Sequence, residues 1–211
     1  MLEPHSFHLV STGVSLMTNL QKKGETVAGI DIAKIPVADQ GQWQELLDNP
    51  TFIKDLEECV WKGPMDSCAE LNTLLRATRN QDPSSVLVYL FGTTTAINEM
   101  CRRVIERVLI RLGYSLLNPD EVNGYLGQLK YKGSDAAKRF QDGTIELLER
   151  LVCLARIRKE RGDDVLFNAT GGFKAHVMAA AVAAHITNSR LYYMNEDFSD
   201  LIYLAFDDLN I

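Results

Sequence analysis

The chain has 211 residues, 46% of them hydrophobic and 24% charged, with a formal net charge of −6. That length suits one sizeable domain, and the acidic balance argues against a broad duplex-DNA footprint, which would want a basic face. It does not exclude a small anion held in a local positive pocket. The acidic start, Met1 to His5, is unlike a signal peptide, and Ala175–Ile186, the most apolar helical stretch, is too short to span a bilayer. A cytoplasmic location, with no membrane partner, is therefore expected. Cys59, Cys68, Cys101 and Cys153 form no Cys-x-x-Cys pair, so buried reduced thiols are expected rather than zinc.

Phe7 to Val10 reads as a first strand, followed by a small polar turn, Ser11 to Ser15, and a helix from about Leu16 to Lys23. Residues 24–82 read as a helical insertion after this first strand–helix unit. Val27 to Ala33 fits a strand or an irregular connection equally well. Trp43, Leu46 and Leu47 recur at helical spacing, Thr51 is placed to cap a second helix, and Ser67 with Glu70 fits a capping box for a third.

Ser85 to Phe91 is the clearest early strand and ends in a second polar turn, Gly92 to Thr95. In the helix beyond it, Arg102, Arg103, Arg107 and Arg111 read as a solvated face rather than a nucleic-acid site. Tyr114 to Leu117 fits a short strand and Asn118 to Asp120 a turn, after which Ser134 is placed to cap a long helix ending near Arg161. Asp164 to Phe167 then forms a strand suited to burial on both faces. It enters a third polar turn, Asn168 to Gly172, and an alanine-rich helix from Phe173 to about Ile186. Arg190 to Met194 and Leu201 to Phe206 complete the pattern as two strands close enough for a hairpin.

Alternating strands and helices predict an α/β fold: a mostly parallel, doubly wound sheet of about six strands with one antiparallel edge. Ligands of such sheets bind beyond the carboxyl ends of the strands, where all three polar turns would lie. Each turn alone fits tight packing. Together, with Lys174 on the first turn of the last helix, they point to a phosphate or nucleotide site. His8, His176 and His185 read as structural, and no acidic cluster suits magnesium.

Asn168-Ala169-Thr170-Gly171-Gly172-Phe173-Lys174 resembles the Asn-x-Thr-Gly-Gly-Phe-Lys signature of CARF (CRISPR-associated Rossmann fold) proteins. Leu9 to Leu16, with Asn19, is similar to that family's first strand and loop. Tyr131 to Ala136, followed by Phe140, resembles the lead-in to its long helix. The resemblance implies a Rossmann-like single domain over residues 1–211, forming a homodimer that binds a cyclic oligoadenylate, most often cyclic tetraadenylate, across its two-fold axis. Many relatives carry a further nuclease or helix-turn-helix domain. The sequence shows neither, which makes the standalone ring nucleases the nearest likeness.

Such a reaction needs no cofactor and no metal, because a ribose 2′-hydroxyl of the ligand attacks the neighbouring phosphate. By resemblance, Lys174 stabilises charge, and Ser11, aided by Thr12, positions the phosphate or the attacking hydroxyl. The N–H groups of Gly171 and Gly172 line the same phosphate, with Thr93, Thr94 and Asn168 nearby. Gly13, Ser15, Asn19, Thr170 and Phe173 complete the implied ligand contacts. Two other expectations fit the same residues: a sensor that binds without cleaving and acts on a separate effector chain, and a nucleotide-binding domain of unrelated function.

Overall fold

The computed structural model describes residues 6–117, 136–195 and 200–206. Its centre is a six-stranded sheet ordered β5-β4-β1-β6-β7-β8. The strands are β1 (Ser6–Ser11), β4 (Val86–Phe91), β5 (Ser115–Leu116), β6 (Asp164–Asn168), β7 (Arg190–Met194) and β8 (Leu201–Leu204). All neighbours run parallel except β7 and β8, which pair antiparallel with Leu191 opposite Leu204. Every residue of β4 is buried, because an inner parallel strand is covered by helices on both sides and has no polar face.

Successive side chains on β4 divide between two cores. Val86, Val88 and Leu90 face α1 (Ser15–Lys22), α2 (Gln40–Leu47), α3 (Pro50–Trp61), α4 (Ala69–Ala77) and α5 (Ala96–Arg111). Leu87, Tyr89 and Phe91 face α6 (Ala136–Glu160) and α7 (Lys174–Ile186). The arrangement is an α/β, Rossmann-like doubly wound sheet. β4 and β6 flank β1, and the chain order reverses there, so the carboxyl ends of these three strands form one edge.

The stretch left open between Val27 and Ala33 is a miniature hairpin. Two-residue strands, β2 (Thr26–Val27) and β3 (Ile30–Asp31), pair antiparallel across Ala28 and Gly29, both with positive φ. Two left-handed residues in a two-residue loop match the twist of a hairpin. A 3₁₀ turn, Ile32–Lys34, follows.

Three local readings of the sequence need correction. Asn49, not Thr51, caps α3: its Oδ1 accepts the N–H groups of Thr51 and Phe52, and Pro50 occupies the first helical position, where no N–H is needed. Ser67 and Glu70 form no capping box. Cys68 is the N-cap of α4, the Ser67 hydroxyl donates to the Gly63 carbonyl, and Glu70 turns inward. Nor are the α5 arginines a free solvated face. Arg107 and Arg111 pair with Glu57 and Glu58 of α3, and Arg111 also stacks 4.0 Å over Trp61. Arg102 and Arg103 pair with Glu99, and Arg102 with Glu106 as well. Of the cysteines, Cys68 and Cys101 are buried, but Cys153 is exposed. The expected turn at Asn118 to Asp120 and the cap at Ser134 lie outside the described residues.

Alanines let α7 sit close to α6. Ala179, Ala180, Ala183 and Ala184 are buried against Leu147, Leu151 and Ala155. The Lys159 ammonium donates to the Thr187 and Asn188 carbonyls just past the end of α7, where positive charge suits the helix dipole. The outer side of α7 exposes Met178, Val182 and Ile186. Among the described residues, no helix is long and apolar enough to cross a membrane.

His8 is fully buried in β1, linked to Ser6 on one side and to the Tyr192 hydroxyl on the other. Burial, helped by the Arg190 charge, lowers its pKa from 6.5 to about 3. The unfolded chain therefore takes up a proton below pH 6.5 that the folded chain refuses until about pH 3. His8 stability is fully present above pH 6.5 and is lost as the pH falls through that window. Between pH 7.5 and pH 5 the loss should reach about 2 kcal/mol. Urea unfolding of His8→Gln should show a pH dependence weaker by that amount, whatever its baseline stability.

Candidate functional site

The three polar turns meet at the carboxyl edge of the sheet, because β1 pairs with β4 on one side and β6 on the other. Ser11 lies opposite Phe91, and Val10 opposite Asn168. The turns interlock through glycines. A Cβ on Gly92 would lie 2.4 Å from both Thr12 Oγ1 and Asn98 Oδ1, and one on Gly172 would lie 2.1 Å from Ser11 Oγ. A Cβ on Gly13 would fall 2.8 Å from the Gly172 nitrogen. A larger residue at Gly13 or Gly92 would meet backbone of the neighbouring turn, and one at Gly172 would push Ser11 Oγ aside.

In the first turn, Ser11 is fully buried and its Oγ has no hydrogen-bond partner among the described residues. Thr12 is clamped to the second: its N–H and hydroxyl both donate to the Phe91 carbonyl, while its own carbonyl accepts from Asn98 Nδ2. The Gly13 N–H donates to Glu70 Oε1 at 2.7 Å, and the Ser15 hydroxyl to Glu70 Oε2 at 2.5 Å. Asn19 points into the insertion, where its amide donates to the Ser67 carbonyl. In the second turn Thr93, Thr94 and Thr95 are half-buried, and the Thr93 and Thr95 hydroxyls share a 3.0 Å hydrogen bond.

In the third turn, Asn168 is buried and its Oδ1 accepts the Thr170 N–H. The Thr170 hydroxyl accepts from the Met194 N–H, tying the turn to β7. Gly171 lies against Glu70, where a Cβ would sit 2.3 Å from Oε1. Gly172 is exposed with φ +97°, a left-handed conformation that glycine takes without strain. Phe173, about half exposed, is the N-cap of α7, and Lys174 is its exposed first residue.

The insertion supplies an acceptor to two of the three turns. Ala96 N–H, at the start of α5, donates to Gln40 Oε1, and Gly13 N–H, before α1, donates to Glu70. Both acceptors come from the helical insertion. Among the described residues, none of the three helices has a side-chain hydrogen bond from its N-cap residue, and Lys174 makes no ion pair or hydrogen bond. At the start of α7 the His176 N–H turns back to the Phe173 carbonyl, and the positive end of the helix dipole lies beside the Lys174 ammonium.

His176 packs beneath, its ring edge-on to those of Phe91 and Phe173. Burial lowers its pKa to about 4, so it is neutral at pH 7. The Cys68 thiol is pushed well above its usual range by burial, with the Glu70 carboxylate beside it as a second cause.

Glu70, Asn98 and Gln40 were not foreseen as parts of this edge. The available signal for Glu70 was its spacing. It precedes Leu74 by four residues and so shares the inward face of α4.

A family model described as CRISPR-associated protein (Cas_APE2256) matches residues 65–205, two thirds of the chain. The chain belongs to the Cas_APE2256 family. The matched residues begin just before α4 and end just past β8, so they include Glu70 and the second and third turns. The turn at Ser11 to Ser15 precedes them. The chain thus stands among CRISPR-associated proteins.

Gly172 and Gly162 offer a controlled pair, with φ of +97° and +91°. Nothing lies within 4 Å of a Cβ on Gly162, whereas one on Gly172 meets Ser11. In thermal or urea unfolding Gly162→Ala should cost about 1 kcal/mol, as expected for left-handed strain alone. Gly172→Ala should cost about 2–4 kcal/mol, the strain plus the overpacking.

Proposed function

We propose that this Cas_APE2256-family chain acts as a homodimer that binds a cyclic oligoadenylate, most often cyclic tetraadenylate, and cleaves it without a metal, ending type III CRISPR signalling. The observation that carries this reading is the start of α7, where among the described residues Lys174 makes no ion pair or hydrogen bond and lies beside the positive end of the helix dipole, at the edge where the three turns meet. The Asn-x-Thr-Gly-Gly-Phe-Lys resemblance and the CRISPR-associated family support the choice of ligand.

In the reaction a ribose 2′-hydroxyl attacks the adjacent phosphorus as the bond to the 5′-oxygen breaks. The proton lost by the 2′-oxygen is balanced by one gained at the departing 5′-oxygen, leaving a 2′,3′-cyclic phosphate and a 5′-hydroxyl. The protein holds the attack in line, and the Lys174 ammonium offsets charge growing on the non-bridging oxygens. Two-fold symmetry supplies two such sites, so linear diadenylate is the product. A second copy also accounts for the outer stripe of α7. Met178, Val182 and Ile186 continue from the turn that bears Lys174, and a copy packed there by two-fold symmetry sets both lysines along one groove.

One observation favours a non-catalytic sensor instead. Ser11 Oγ lies buried behind Gly172, as expected of a packing residue rather than one that touches a reacting phosphate. Ser11→Ala should lower cleavage without weakening binding if Ser11 touches the reacting phosphate, and leave both unchanged if it only packs.

Incubation with cyclic tetraadenylate in EDTA, followed by chromatography, should yield linear diadenylate. Lys174→Ala should lower the rate by roughly 100- to 1,000-fold, the usual effect of losing one charge-stabilising group. An intact ligand after long incubation with excess protein would remove the catalytic part of the proposal. Met178→Asp, which sets a charge in the outer stripe, should shift the protein to monomer in analytical ultracentrifugation, and cleavage should fall with it.

A further inference from the structure

We infer that Glu70 is a positioning residue for the phosphate site at the start of α7, an inference that rests on the function proposed above. Its carboxylate comes from the helical insertion, yet it sits between the first and third turns. Oε1 accepts the Gly13 N–H, Oε2 accepts the Ser15 hydroxyl, and the same carboxylate abuts Gly171. One side chain thereby sets the distance between the two turns that enclose Ser11 Oγ and Gly172.

The burial of this group argues that its position matters. Glu70 is 1% exposed, and among the described residues no lysine or arginine pairs with it. A carboxylate without a cation is costly to remove from water and is kept only where several donors hold it. Here the donors belong to the turn before α1, 55 and 57 residues earlier in the chain. The contact with Gly171 has no slack, since even a methyl group there would overlap the carboxylate carbon at 2.6 Å.

Glu70 is not placed to exchange protons with a ligand, because both oxygens are engaged and shielded from solvent. Nor is it a removable stopper. Its helix is anchored on both sides, with the Ala69 N–H donating to Ser15 Oγ, Asn19 donating to the Ser67 carbonyl, and Leu71 and Leu74 in the core. The carboxylate therefore acts through the turns. It uses up the Gly13 donor, leaves the anion to the α7 start, and fixes Gly171 and Gly172 relative to Ser11.

The test compares Glu70→Ala with Glu70→Gln, which keeps the shape and the acceptor for Gly13. Single-turnover cleavage of cyclic tetraadenylate should fall on the order of 100-fold in Glu70→Ala, the scale of an ångström-sized misplacement. Ligand affinity should barely change, because Lys174 is untouched, and Glu70→Gln should recover most of the rate. Tighter binding by Glu70→Ala would mean that the carboxylate competes with the ligand, and unchanged cleavage would mean that it positions nothing. Either result overturns the inference.

A second readout does not depend on any activity. In amide NMR spectra of the ligand-free protein, Glu70→Ala should move the Gly171 and Gly172 resonances together with that of Gly13. If only Gly13 moves, the two turns are not coupled and the inference fails, whether or not the chain cleaves a nucleotide. Should Glu70→Ala fail to fold, Glu70→Asp keeps the charge, draws it back by one methylene, and is read in the same two ways.

Discussion

The candidate site depends on contact between backbones at the carboxyl edge of the sheet. Gly13, Gly92, Gly171 and Gly172 each stand where a Cβ would run into the neighbouring turn or into Glu70. Three parallel strands set the spacing of that edge, and only residues without side chains let the connections close over it. The consequence is electrostatic as much as steric. Turns this close direct N–H groups into a small volume, and those groups need acceptors once water is excluded. The insertion provides one through Glu70 and one through Gln40.

The three turns are therefore not equivalent. The insertion gives the first two turns one acceptor each, whereas at the α7 start Lys174 has no carboxylate partner among the described residues. The alanines of α7 have a separate part. They let the helix lie flat on α6 and the sheet, so that its larger apolar side chains face outward, in line with the same turn.

Much of this was legible in the sequence. Val86 to Phe91 and Val165 to Phe167 are apolar runs between turn residues, and the structure buries them within inner parallel strands. The short link from β7 to β8 announced an antiparallel edge. The polar turns were legible because each follows such a run, and the sheet then brings them together. What a linear reading could not supply was contact across long separations. Glu70 looked like a local capping residue because Ser67 lies three positions before it. Its real partners lie 55 and 57 residues away, and only the packed insertion brings them near. Asn49 was overlooked for a different reason: the proline after it reads as a helix breaker, yet it serves equally well as the first residue of a helix. The α5 arginines looked free for want of any sign that α3 would cross them.

The hydrogen bond from Ala96 to Gln40 carries a lesson about trimming this protein. A shortened chain joining Lys22 to the strand at Val86 would keep every strand of the sheet and look like a smaller version of the same architecture. It would also remove α2, α3 and α4 from the core that Val88 and Leu90 share with α1 and α5, and leave the tips of two turns with donors facing nothing. The helices over that face are therefore no detachable ornament. They are the lid under which the far end of the sheet holds its shape, and a minimal version would have to replace their two acceptors before any other part.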